Sequence, residues 1–196
     1  MAAMSSTEPS QMLDAVDRTR LLEIARDSIN TGLDAGHSCD VDLARCSQAL
    51  RLKRATFVTL ELDQQLRGCI GTLEARRPLA TDVAENAWSA AFQDPRFGPV
   101  TFAEAESLEI AISVLSPPQP LPVADEEDLL EQLRPGVDGL VIEGGHRHAT
   151  FLPSVWESLL DPYVFLSQLR SKAGFPLDYW SEQLTFKRYT TETFRS

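Results

Sequence analysis

Basic residues are scarce in this chain: 18 Lys and Arg stand against 29 Asp and Glu, a formal net charge of −11. Nucleic-acid binders draw most of their affinity from cations facing phosphates, so this balance argues against DNA or RNA as a partner. The clusters Arg51, Lys53, Arg54 and Arg76, Arg77 are too short to reverse the sign and read as solvated surface. Long apolar runs are missing too. None approaches the ~18 residues that a membrane span needs. Cysteine is sparse: Cys39, Cys46 and Cys69 make an odd count with no CxxC pair. That fits reduced thiols in a cytosolic protein better than a disulfide framework. The stretch Met1–Gln11 has no cationic start and no apolar h-region, so a frayed tail is expected there rather than a signal peptide, and a cytoplasmic protein overall. No phosphate loop, dinucleotide fingerprint, GxSxG elbow or HExxH helix occurs. Those absences remove the familiar nucleotide-dependent and hydrolytic classes, and no cofactor is implied.

What is present suits an ordinary globular protein. The 196 residues are 43% hydrophobic and 24% charged. A chain of that length buries roughly 70% of its unfolded surface, enough to be stable without a disulfide or metal.

Helical spacing of Leu21, Leu22, Ala25, Ile29 and Leu33 predicts a first helix, capped by Asp17 and stopped at Gly36. A short helix is expected near Ser47–Leu52. Thr56–Leu62 is rich in β-branched and apolar residues and reads as a strand. Asp63-Gln64-Gln65 then turns the chain, and Leu66–Leu73 returns antiparallel. Pro78 suits the first turn of a helix with Leu79, Val83, Ala87, Ala90 and Ala91 on one face. Thr101 and Glu104 fit a capping box, and Leu108–Leu115 alternates as a half-buried strand. Four prolines in Ser116–Pro122 predict an extended connector without regular pairing. Asp125 caps an acidic helix, and a second hairpin follows over 140–152 around Gly144-Gly145. Asp161-Pro162 opens a helix ending at Gly174, and Leu184–Phe194 reads as one strand. Hairpins interleaved with helices, without a βαβ rhythm, give the fold class α+β with antiparallel sheets.

The densest stretch in functional groups is Leu66-Arg67-Gly68-Cys69-Ile70-Gly71-Thr72. Cys69 is the candidate nucleophile, reactive only where a cation or a base lowers its pKa. Arg67, two residues away, falls on the same strand face, where it would stabilise a thiolate or clamp a carboxylate beside it. Gly68 and Gly71 leave backbone open to a ligand. In the alternative reading Cys69 is a small buried hydrophobe, the glycines admit a packed helix, and Arg67 pairs with an internal carboxylate. Asp94-Pro95-Arg96-Phe97 either projects Arg96 from a functional loop or is an Asx-type turn locked by an Asp–Arg pair. His146 and His148, with Glu143 nearby, form an incomplete metal set, and surface histidines on a hairpin are the commoner outcome.

Taken in order, Leu66–Gly71, Asp94–Phe97, Ser113–Ser116, Asp138-Gly139-Leu140, Phe151–Val155 and Lys172-Ala173-Gly174 form a set that resembles the AMME chromosomal region candidate protein family. Its bacterial members are called protein A of the AmmeMemoRadiSam system. The likeness spans roughly Phe57 to Phe194. His146 and His148 depart from the family pattern. The resemblance implies two subdomains, the larger holding both termini and the hexapeptide, which would face an interlobe cleft. Fitted here, the large subdomain is 1–74 with 137–196, and the small inserted one is 75–136. The resemblance also implies partners, a Memo-type protein and a radical SAM protein. The function expected is binding of a large partner or substrate, with Arg67, Gly68, Gly71, Thr72, Asp94 and Arg96 as binding residues. On that view the protein is an accessory or modifying enzyme using Cys69, or else a non-catalytic adaptor.

Overall fold

The structure is a computed structural model and describes residues 13–196. The expected tail Met1–Gln11 lies outside the described residues. In chain order the elements are α1 (Ala15–Ala35), α2 (Gln48–Arg51), β1 (Thr56–Leu62), β2 (Gln65–Gly71), α3 (Leu79–Phe92), α4 (Phe102–Ala105) and β3 (Glu109–Leu115). They continue with β4 (Gln119–Pro120), α5 (Glu126–Gln132), β5 (Gly139–Gly144), β6 (Arg147–Phe151), α6 (Pro162–Lys172), β7 (Thr185–Tyr189) and β8 (Thr191–Arg195). Helices accompany two sheets whose β1–β2, β1–β3, β4–β7, β5–β6 and β5–β7 ladders are antiparallel, so the fold is α+β as expected.

Two compact units form: one runs to Leu115 and takes back Glu192–Ser196, and the other is Ser116–Thr191. This is not the division at 74/75 and 136/137 expected from the sequence. The reason is packing. Residues 79–115 supply α3, whose Val83, Ala84 and Ala87 share a core with Val58 and Leu60 of β1, and β3, whose Glu109–Val114 pair with Glu61–Thr56 of β1.

In the first unit the sheet order is β2-β1-β3-β8. Leu21, Ile24, Ala25 and Ile29 of α1 join Val58, Leu60, Ile110 and Ile112 in its core. The cap of α1 is Asp14, which accepts the Asp17 N–H at 2.7 Å; Asp17 is the third helical residue rather than the cap. Gly36, at φ 79°, closes the helix as expected, since only glycine takes that conformation without strain. Asp63 and Gln64 both have positive φ, 51° and 61°, giving a two-residue turn whose twist matches the flanking strands.

The second unit has the sheet order β4-β7-β5-β6 with Trp156, Phe165, Leu166 and Leu169 packed on Leu140, Ile142 and Phe186. Trp156 and Phe165 stack with ring centroids 3.8 Å apart. Asp161 caps α6 through the Tyr163 and Val164 N–H groups. Two expectations are corrected here. The proline-rich connector does pair: Gln119 and Pro120 lie opposite Arg188 and Lys187, an edge position where proline's missing N–H faces outward. The final strand is two, β7 in this sheet and β8 in the other, broken at Thr190.

Candidate functional site

Leu66–Gly71 of the motif lie on β2, an edge strand of the first sheet backed by α3, and Thr72 follows directly after it. A side chain at Gly68 would collide with the carbonyl of Ala90 on α3, and one at Gly71 would strike the Phe57 ring and the Thr56 carbonyl. These glycines admit neighbouring protein. Leu60 pairs with Gly68 while Glu61 pairs with Leu66, so Arg67 is the extra residue of a β-bulge.

Of the two readings of Arg67, the contacts are those of pairing with a carboxylate of the protein. Arg67 Nε donates to Glu104 Oε1 at 2.8 Å and its Nη2 to Oε2 at 3.2 Å. The same guanidinium donates to the Gly98 and Pro99 carbonyls at 3.0 and 3.1 Å. Glu104 is thereby doubly used, because it also completes the capping box of α4 by accepting the Thr101 N–H at 2.8 Å. The Arg67 hydrogen bond, followed by the Thr101 N–H, pulls the Glu104 carboxyl down to about 2.

A second latch closes on the edge of β2. Asp94 Oδ2 accepts the Cys69 N–H at 2.9 Å and Arg96 Nη2 at 2.7 Å, while Oδ1 accepts the Arg96 N–H and Nε at 3.1 and 2.9 Å. Arg96 Nη2 also donates to the Cys69 carbonyl at 3.3 Å. One side-chain pair therefore occupies the backbone donor and acceptor that an edge strand would otherwise leave open at Cys69. The Arg96 hydrogen bond holds the buried Asp94 well below the usual carboxylate range, against the opposing effect of burial. Both guanidiniums approach the Phe97 ring, at 5.9 Å for Arg67 and 5.5 Å for Arg96. Of the two readings of this loop, the geometry is that of the locked Asx turn, and Arg96 remains about half exposed.

Cys69 is half-buried. Its sulfur accepts from the Thr59 hydroxyl at 3.3 Å, directly across the β1–β2 ladder. Thr72 turns inward instead: its hydroxyl donates to Asp82 at 3.0 Å. Asp82 is the centre of a buried network that sequence reasoning missed. Its two oxygens also accept from the Thr56 N–H and hydroxyl, from Nε and Nη2 of Arg77, and from Asn86 Nδ2. The available signal was a polar pair four residues apart, Asp82 and Asn86, on the apolar face of α3.

His146 and His148 are exposed, and Glu143 opposite His148 pairs with Lys187 at 2.9 Å. Among the described residues no group of three or more His, Cys, Asp or Glu is arranged to hold a metal ion. No helix among them is long and apolar enough to cross a membrane.

Comparison with known proteins places this geometry in a family. An AMMECR1 family model matches residues 22–194. A protein of Methanothermobacter thermautotrophicus is 40% identical over 146 residues, covering 74% of this chain and 76% of its own. A Methanopyrus kandleri protein is 38% identical over 164 residues, with coverage of 82% and 78%. An uncharacterized protein of Pyrococcus horikoshii, solved by crystallography, superposes with a TM-score of 0.80 at 32% identity, covering 90% of this chain and 89% of that one. The chain belongs to the AMMECR1 family.

Proposed function

We propose that the Leu66–Thr72 strand and the Asp94–Phe97 loop together form a rigid recognition wall for a large partner or substrate. On this reading the protein is a cytoplasmic accessory to a Memo-type protein and a radical SAM protein. The observation that carries the reading is the double latch, Arg67 held by Glu104 and Asp94 held by Arg96. A surface fixed before binding loses little conformational freedom when a partner arrives, which favours recognition. Each latch also neutralises its own arginine, so the wall suits a mixed polar and apolar partner rather than phosphate. Leu66, 44% exposed, and the half-exposed Arg96 guanidinium are the groups it offers. The net charge of −11 weighs against RNA.

A second reading, a modifying enzyme with Cys69 as nucleophile, is favoured by one observation. The half-buried sulfur is fixed on the strand by a hydroxyl hydrogen bond from Thr59, 3.3 Å away. Thr59 is a donor and supplies no base.

The two readings separate in one experiment on purified Memo-type and radical SAM proteins from the same organism. Association with this chain is measured by analytical ultracentrifugation, and covalent change in either partner by mass spectrometry. Leu66→Glu, at an exposed position, is expected to weaken association by roughly tenfold or more, and Cys69→Ser to leave it unchanged. Absence of any association overturns the recognition wall. A covalent change that vanishes in Cys69→Ser while association persists replaces the accessory reading with the enzymatic one.

A further inference from the structure

A groove of about 350 Å³ lies between α1 and α4 in the first unit, and none of the four latch residues Arg67, Asp94, Arg96 and Glu104 lines it. Its walls carry one cation, Arg26, against two carboxylates, Asp34 and Glu106. The cation faces inward. Arg26 donates to the Ala105 carbonyl at 2.7 Å and the Leu108 carbonyl at 2.6 Å, closing the C-terminal end of α4. Asp34 and Glu106 are exposed, and among the described residues neither takes part in an ion pair. The groove thus shows negative charge outward while its positive charge is spent on backbone.

Of the remaining wall, Ala105 and Leu33 belong to or pack on the core, and Phe102 is the side chain out of place for a purely structural role. Phe102 is 64% exposed at the first helical position of α4. The cap of that helix is made by Thr101 and Glu104, so the phenyl ring contributes nothing to it. Leu33 lies half-buried on the opposite wall, and Asn30 adds an exposed amide. An aromatic ring beside unpaired carboxylates is the pairing that receives a long basic side chain, whose methylenes lie on the ring while its charge meets the acid.

We propose that this groove docks a short basic and apolar segment of a partner protein. Asp34 and Glu106 receive a Lys or Arg, and Phe102 and Leu33 cover an adjacent apolar side chain. Charge at two scales supports that occupant: the local excess of carboxylate, and the chain's net −11, which steers cationic partners toward it.

The test is selection of short random displayed peptides on the full chain, with a parallel selection on the triple variant Asp34→Lys, Phe102→Ser, Glu106→Lys. All three positions are exposed, so an unchanged melting temperature is the control for folding. The expected result is enrichment, on the parent chain alone, of peptides that place Lys or Arg beside an apolar residue. Synthesised, such peptides should bind the variant roughly tenfold or more weakly by calorimetry and lose affinity as salt is raised. Failure to enrich any sequence overturns the proposal. So does enrichment of peptides without basic residues, or peptides that bind parent and variant equally.

Discussion

Asp82 and Arg170 are both buried charges, and their surroundings set them apart. Asp82 is 1% exposed and receives hydrogen bonds from Thr56, Thr72, Arg77 and Asn86. Arg170 is fully buried, with Nη1 donating to Glu126 at 3.0 Å and to the Leu177 carbonyl at 3.1 Å. Its Nε and Nη2 have no partner, and the Trp180 ring lies 5.7 Å from its guanidinium carbon. Removing Asp82 strands several buried donors, so Asp82→Ala should cost about 2–4 kcal/mol in denaturant unfolding. Arg170→Met removes a buried cation that is poorly satisfied, and is expected to leave the melting temperature unchanged or raise it. Glu126→Ala leaves that cation without its carboxylate and should lower the melting temperature more than Arg170→Met does. A sequence names such residues without showing their partners. Thr72 looked like a binding residue because it ends a conspicuous motif; its hydroxyl serves Asp82, ten positions away on a helix.

At the scale of elements, β2 depends on the two latches that hold the 94–104 segment against its edge. Glu104 has its carboxyl drawn from the ordinary 4.5 to about 2, so its pairing with Arg67 favours the folded state fully above pH 4.5 and loses that effect as pH falls toward 2. Asp94, held below its ordinary value chiefly by Arg96, adds to the loss in the same direction. Melting temperatures recorded across this acid range should fall steeply for the parent chain and less steeply for Glu104→Gln; parallel curves would show that the latch carries no such dependence. The elements themselves were largely legible. The hairpin at Asp63-Gln64, the capping box at Thr101 and the Asp161-Pro162 helix start each depend on neighbours within four residues. The cap of α1 was misplaced by three residues because Asp14 and Asp17 are both acceptable caps in isolation. The bulge at Arg67 was not legible, since it is set by the register between two strands and by Glu104 thirty-seven residues on.

At the scale of the molecule, Ser116–Thr191 contains its own sheet and its own aromatic core. Residues 116–191 expressed alone are expected to unfold cooperatively, with the Trp156–Phe165 stack giving near-ultraviolet circular dichroism; a featureless spectrum would show that this core needs the rest of the chain. The fold class was readable because hairpin and helix signals are local. The division into units was not, because it depends on which distant strands pair. Even composition hides the step at Thr190, where one stretch with a single strand-like pattern serves two sheets. That step has a consequence for synthesis. A growing chain holds everything the second unit needs before β8 exists, whereas the first unit still lacks the strand that carries the Arg195–Glu61 pair, the Glu192 contacts to Arg18 and Leu13, and the Ser196 N–H bond to Ile110. The unit begun first on the ribosome is therefore the one finished last. Until then β3 waits with an open edge, an interval in which the nascent chain is exposed to pairing with the wrong strand.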